Sequence, residues 1–583
     1  MKNHLYRLNL VILIIMSAVG GFSQGVINHG ANISITAGTK FRITVTSMNF
    51  INKSAGSNAG TVKLSGDMYI QGSWYNNAST PIDLSATNGT VHFIGSVAQE
   101  ISGTNGSIFP NVIVDNDSGV IINNDITVNH DLLINTSKKL VVSSTKSLTV
   151  NGTLSNNSGI TGLIIKSDAS GTGSLIHHTA FVPATVERYI LGGEWHQISS
   201  PISNAVSGMF LGKYLQDWEN CNWVDIPPIT TPLTPLQGFA IYNATSFTAQ
   251  YQGFLNEGTI GTSNNLPAAP ACNGIYVVGN PYASAIDWDA NQGWIKTNLN
   301  NSVYIHKNAT TWASYVGGAQ SNGGSRYIAS GQGFIVIGVD GNSPATINMS
   351  DMVRVNQNTT FFKDALDHLI RLEVTGGNNY VDETVIRFVP EATKGFDTDW
   401  DAFKILGDVA EAPQIYSLIP DQGITTNELS INTLPDTQDV PIGITIGASG
   451  NYTIRASEMN GLNGVRLEDK TTGVFTDLQS TSYTFSFSSG QVDTRFVLHF
   501  SPLGDSGPKA EFANIYSVEK TVYVNMSANE RGNIYIYNMT GQLIASSVVQ
   551  PDLNRVNLSV STGTYIVKVI TNNHSIVKKV FLN

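Results

Sequence analysis

Apolar and polar residues alternate in short runs from residue 25 to about residue 178, and clusters of Gly, Asn and Ser separate the runs. Alternation buries one face of an extended strand, and the punctuating residues favour tight turns. The pattern also repeats. DITVNHDLLINT (125–136) aligns with SLTVNGTLSNNS (147–158) at an offset of 22 residues, and DMYIQGSWYNN (67–77) fits the same template. GTVKLSG (60–66) returns as GTVHFIG (89–95) at an offset of 29. Repeats of about 20 residues built from short strands suit a β-solenoid, where each coil buries its apolar face against the next. The unequal offsets leave a meandering β-sandwich as the alternative for residues 24–178.

A different repeat fills residues 179–355. EWHQISSPIS (194–203) and GIYVVGNPYA (274–283) each run a strand into a proline, and each is followed later by a Gln-Gly-Phe strand, LQGFAIY (236–242) and GQGFIVI (331–337). Proline suits a strand exit because it cannot donate to the ladder. The glycine before each phenylalanine predicts a bulge or a close backbone approach. Residues 356–502 hold six more alternating runs, among them HLIRLEVTG, ETVIRFV and NYTIRAS, which predict an antiparallel sandwich. Residues 503–513 have linker chemistry, and alternation returns over 514–583. The predicted fold class is therefore mainly β and multi-domain.

Composition narrows the class further. A chain of 583 residues exceeds what one core supports. Charged residues are 13% and apolar ones 41%, an uncharged but ordered composition. A net charge of −11 with no basic stripe excludes a nucleic-acid partner. Lys2 and Arg7, the apolar stretch 10–19, and the small residues Gly21 and Ser23 read as a signal peptide over residues 1–23, with cleavage at Ser23. No later stretch is long and apolar enough to predict a transmembrane helix. Only Cys221 and Cys272 are present. In an exported chain they form either one disulfide or two buried thiols.

The tail is the most specific signal. IYIYNMTGQLI (534–544), GTYIVKV (563–569) and the terminal HSIVKKVFLN resemble the type A sorting domain of the type IX secretion system of Bacteroidetes-type bacteria. The residues carrying the resemblance include Gly541, Gly563, Tyr565, Lys578 and Lys579. The resemblance implies passage through the periplasm, recognition of the tail by the type IX machinery, and release or attachment to surface lipopolysaccharide. GNPYASAIDWD (279–289), GFDTDWDAFKILG (395–407) and RFVLHFSP are similar to segments of uncharacterised surface proteins with such tails.

Motifs for chemistry are sparse. No His is followed by Glu, no G-x-S-x-G occurs, and the one Gly-Lys pair, Gly212-Lys213, precedes Tyr214, so zinc-protease, serine-hydrolase and P-loop signatures are absent. His177-His178 is the densest His site, read as a solvated loop. Asp397, Asp399 and Asp401 would share one face of an extended strand, about 6–7 Å apart, where calcium could neutralise them. The alternative is a loop in which they cap turns and face water. Acid–Trp–acid triplets recur at 217–219, 287–289 and 399–401, suiting either sugar binding or core packing with wet acids. Together these features predict an adhesive or ligand-binding surface protein whose partners could include glycans or matrix polymers. The alternative is a carbohydrate-active enzyme, a polysaccharide lyase or glycosidase working on the solenoid. That alternative needs clustered Asp, Lys and Arg on one face, and Lys138-Lys139 is the only adjacent basic pair in 25–178.

Overall fold

The computed structural model describes residues 25–46, 48–84, 88–227, 229–261, 266, 274–339, 344–357, 366–376, 379–419, 427–489, 492–500, 513–526, 531–551, 553–571 and 575–583. The signal segment and the cleavage position Ser23 lie outside them. The chain forms two compact units: the first spans 1–436, 440–460 and 482–496, and the second 437–439, 461–481 and 497–583.

The first unit begins as a β-solenoid of stacked parallel strands. One face runs Val26–His29, Phe50–Lys53, Trp74–Asn77, Gln99–Gly103, Val120–Ile122, Leu140–Val142, Leu163–Ile165 and Pro183–Ile190. A second runs from Lys40–Ile43 through Asp67–Ile70, Thr90–Phe93, Asn111–Val114 and Leu132–Ile134 to Leu154–Asn156, and a third from Ile82–Asp83 to Ser174–Ile176. Inward residues stack coil on coil: Met68, Val91, Val112, Leu132 and Leu154 are consecutive partners and all are buried. Each such side chain gains about 1.5–3 kcal/mol from full burial, so every coil depends on its neighbours.

The 22-residue repeat is the coil itself, since Ile126 pairs with Leu148 and Leu132 with Leu154. The other two alignments do not mark neighbouring coils. Asp67–Ile70 and Trp74–Asn77 occupy the second and first faces, whereas Ile126–Val128 and Leu132–Ile134 occupy the third and second. Thr61–Leu64 pairs with Asn32–Ile35 in a separate ribbon, while Thr90–Phe93 belongs to the second face. All faces demand the same alternation, so similar strands need not share a face.

Polar residues also stack inside the solenoid. Asn28 Nδ2 donates to Asn52 Oδ1 (2.9 Å) and Asn52 Nδ2 to Asn76 Oδ1 (3.0 Å). Asn76 Nδ2 then donates to Gly106 O (2.7 Å), and all three Asn are buried. Phe50 stacks on Trp74 in the same coils, with centroids 4.4 Å apart.

Strand Phe247–Phe254 closes the first face, pairing antiparallel with Pro183–Ile190 along its length. The duplication then appears as two sheets of the same plan. Trp195–Ile198 pairs with Phe239–Tyr242, which pairs with the hairpin Tyr214–Glu219/Asn222–Asp225. Ile275–Gly279 likewise pairs with Gly333–Ile337, which pairs with Val303–Asn308 and, through it, Thr311–Val316. The copies interlock crosswise, with bridges Ile198–Gln332 and Gln237–Val278. The expected close approach is present: a Cβ on Gly238 would lie 2.5 Å from Val278 O, and one on Gly333 would lie 2.9 Å from the Gln197 backbone.

Residues after 356 continue the same unit. Strands Val440–Thr445, Gln414–Leu418, Glu428–Leu434, Val381–Phe388, Leu369–Thr375, Gly450–Asn460 and Tyr483–Phe487 follow one another in a sheet. It is antiparallel except where Val385 pairs in parallel with Ile431. Its Leu369, Val385, Leu429 and Ile431 share a core with Val277, Tyr304, Ile335 and Ile337 of the second copy. The sandwich partner of this sheet is thus the preceding module.

In the second unit, Ala513–Val518, Thr521–Met526 and Leu553–Asn557 form one sheet. Leu543–Val548, Gly532–Asn538, Gly563–Thr571 and Ser575–Leu582 form another, and Ile515, Val524, Ile534, Val567 and Leu582 are buried in their common core. Among the described residues no helix is long and apolar enough to cross a membrane.

The Asn ladder is open to direct test. Asn52→Ala leaves Asn28 Nδ2 and Asn76 Oδ1 without that partner in a buried site, so denaturant unfolding should give a loss of about 1–3 kcal/mol. An unchanged midpoint would show that the ladder adds nothing.

Candidate functional site

The acidic cluster is a turn and not a strand. Trp400 N and Asp401 N both donate to Asp397 O, at 3.1 and 2.9 Å. The chain bends here to lay Ala402–Phe403 beside Glu428–Leu434. Asp401 is fully buried, accepting N–H groups from Asp397 (2.8 Å) and Thr433 (2.7 Å). Burial pushes its carboxyl up to about 8, against the opposing pull of those two donors. Asp397 accepts from Thr393 N (2.6 Å) and Oγ1 (3.0 Å), while Asp399 is exposed. The expectation of three carboxylates on one strand face is therefore corrected. Among the described residues no group of three or more His, Cys, Asp or Glu side chains is arranged to hold a metal ion.

The triplets are mostly packing elements. Trp288 is fully buried, with its Nε1 on Asn301 O (2.8 Å). Asp287 forms a two-pronged pair with Arg326 (2.7 Å each), and Tyr315 donates to Asp289. Lys296 Nζ lies 3.9 Å from the Trp288 ring centre and donates to Asn301 Oδ1 (2.7 Å). Burial lowers Lys296 to about 8, although Asp289, Asp399 and Asp287 oppose the shift. Trp218 packs edge-on against Trp223, and Trp400 is half-buried beneath Arg387. None of the three indoles is an open platform. Cys221 is disulfide-bonded, with φ at 66° in the turn before Asn222–Asp225. Cys272 lies outside the described residues.

Of the His pair, His178 is exposed and only His177 departs from a solvated loop. His177 is 1% exposed, and its pKa falls to about 3 through burial first and the nearby Arg354 second. The cause is the packing of residues 351–354 against it. Arg354 donates to His177 O (2.7 Å) and pairs with Asp351 (2.9 Å), whose carboxylate also meets His178 (3.0 Å). Asp351 accepts from Gly258 N (2.9 Å), and Tyr282 OH donates to Gly258 O (2.7 Å). Asn256 is tied to Ser200 O (3.0 Å) and Pro281 O (2.8 Å). This network fixes residues 256–258.

Those residues wall a groove of about 390 Å³ that composition and motifs did not disclose. Its rim carries Phe181, 79% exposed, and Phe254, 41% exposed, edge-to-face at 6.2 Å. Ser203, Thr234, Asn256, Glu257 and Thr259 supply the polar lining. Phe181 sits at φ 57°, a region bulky residues seldom occupy. It is held there because the next residue, Val182, is buried and accepts a hydrogen bond from Leu255 N (2.9 Å). In the sequence, Phe181 is an aromatic out of phase with the buried Val182, Ala184 and Val186, and that was the available signal. A second, polar cleft of about 540 Å³ at the end of the solenoid brings Asp125, Lys146 and Arg188 together. Asp125 is bound there by Ser147 N and Oγ (2.9 and 2.8 Å).

In the tail, Gly541 occupies φ 85° in the turn between Gly532–Asn538 and Leu543–Val548. Asn538 organises this turn by accepting from Thr540 N and Gln542 N. Gly563 opens strand Gly563–Thr571, opposite Leu582. Tyr565 is buried and donates to Ser561 O (2.9 Å), while Lys578 and Lys579 are exposed on the last strand.

Comparison with protein families matches this segment, residues 518–583, to the secretion system C-terminal sorting domain. The protein is thus a type IX secretion cargo, directed to the cell surface or secreted. Residues 100–500 match the profile described as a domain of unknown function, DUF8693, and the chain belongs to that family. No curated protein matches.

Two outcomes follow. Because His177 is held neutral with a pKa far below 6.5, its contribution to stability is complete above pH 6.5 and is lost as pH falls toward 3. His177→Gln should remove that part of the acid destabilisation in melts across this range; parallel curves for both proteins would contradict it. A chain ending at residue 513 should accumulate folded in the periplasm, and its appearance in the medium would contradict the assignment of the tail.

Proposed function

We propose that the exported chain is an adhesin-like binding protein whose Phe181–Phe254 groove holds a glycan. The observation that carries this reading is Phe181, 79% exposed and kept at φ 57°. Such strain costs about 1–3 kcal/mol and persists where the surroundings impose it, often at ligand sites. An exposed aromatic face stacks on the apolar face of a sugar ring, and the Thr, Asn and Glu lining can bond its hydroxyls. The groove wall is tied by Asp351, Tyr282 and Asn256, so little ordering would accompany binding.

The enzymatic alternative has less support. Glu257 is the one carboxylate among the described residues lining the groove, and Asp125 the one lining the polar cleft. Glycoside hydrolysis ordinarily uses a pair. Attachment to surface lipopolysaccharide after export belongs to the same proposal and rests on the sorting domain.

The test is a glycan array probed with the mature chain and with Phe181→Ala. The native chain should retain at least one glycan, and the variant should lose it by tenfold or more with stability within about 0.5 kcal/mol, as for a surface change. Equal retention by both would reject the groove, and depolymerisation of any retained polymer would favour the enzyme.

A further inference from the structure

The first unit buries a complete lysine–carboxylate contact that the groove does not use. Lys404 and Asp382 have side chains 2% and 0% exposed, with Nζ against Oδ2. Asp382 lies in strand Val381–Phe388, and Lys404 follows Ala402–Phe403. Val385, Ala402, Phe403, Leu429 and Ile431, on the same and the adjoining strands, belong to one buried cluster. Two donors fix the carboxyl group, Asn322 Nδ2 on Oδ1 (2.8 Å) and Ile415 N on Oδ2 (2.7 Å). Asn322 is itself anchored to Trp312 O (3.0 Å).

We propose that Lys404 and Asp382 form an intramolecular isopeptide bond, making this pair a self-modification site. Taking two charges out of water costs several kcal/mol per ion. The attack requires the free amine, which forms when Nζ hands one proton to Oδ2 across their contact. The amine lone pair attacks Cγ, and Asn322 stabilises the charge that develops on Oδ1. The C–Oδ2 bond breaks, and Oδ2 leaves as water with two protons drawn from Nζ. The product is a neutral secondary amide, and no oxidant or other reactant is required. Glu428, whose backbone carbonyl accepts Lys404 N–H (2.9 Å), places a second carboxyl close enough to feel the Lys404 charge. It can carry protons between nitrogen and the leaving oxygen. Fixed juxtaposition supplies the effective concentration that makes such an attack feasible without a cofactor.

The bond would close a loop between positions 382 and 404, across strands that both pair with Glu428–Leu434. An exported protein gains from such a lock, since it resists proteolysis and pulling without a reducible link.

The test is peptide mass spectrometry on the mature, full-length chain after reduction and complete digestion. A branched peptide joining Lys404 to Asp382, lighter by one water than its two parts, is the expected result. Lys404→Met should yield only linear peptides of full mass, even if its fold is weakened. Recovery of both native residues in separate linear peptides from protein that melts cooperatively would overturn the proposal, as would a water loss that persists in the variant.

Discussion

The first face of the solenoid would end in a row of unpaired backbone N–H and C=O groups, and the module that follows depends on how that row is covered. Strand Phe247–Phe254 covers it, pairing antiparallel from Pro183 opposite Phe254 to Ile190 opposite Phe247. An open edge would template association with other chains. Closing it from within the chain requires a long excursion between the two strands, and the first copy of the duplicated module occupies that excursion. The groove lies where the closing pair ends: Phe254 is the last residue of the covering strand, and Phe181 immediately precedes the solenoid's last inward residues. The candidate ligand site is therefore a consequence of terminating the solenoid.

The crosswise pairing of the two copies explains why the duplication persists as one body. Each Gln-Gly-Phe strand pairs with its own copy's first strand and bridges to the other copy's. Gly238 and Gly333 stand where any larger residue would strike the opposing backbone. The low charge content of the chain hides costly interior charges, Arg354 with Asp351 and Arg371 with Glu383. Each is paired and hydrogen-bonded, as buried charges must be.

Much of the fold was legible because alternation and spacing are local properties. The 22-residue coil, the paired strands before each proline and the sorting tail could all be read from residue order. What could not be read depends on which distant segment arrives to cover a side chain. His177 looks exposed beside His178 until Arg354 packs against it, 177 positions away. Asp401 looks like a surface ligand until Thr433 takes its carboxylate. Phe181 is out of phase with the buried Val182, but nothing local says that Phe254 will stand beside it. The sheet after residue 356 reads as a separate sandwich, because nothing local says that the preceding module supplies its other layer.

The most direct measurement is hydrogen–deuterium exchange on the exported chain, with and without soluble polysaccharides. If terminating the solenoid creates the binding site, a bound chain should slow exchange at residues 254–261 and around residue 181, leaving the coils from 25 to 160 unchanged. Protection confined to those coils, or to the polar cleft at Asp125 and Lys146, would contradict the account.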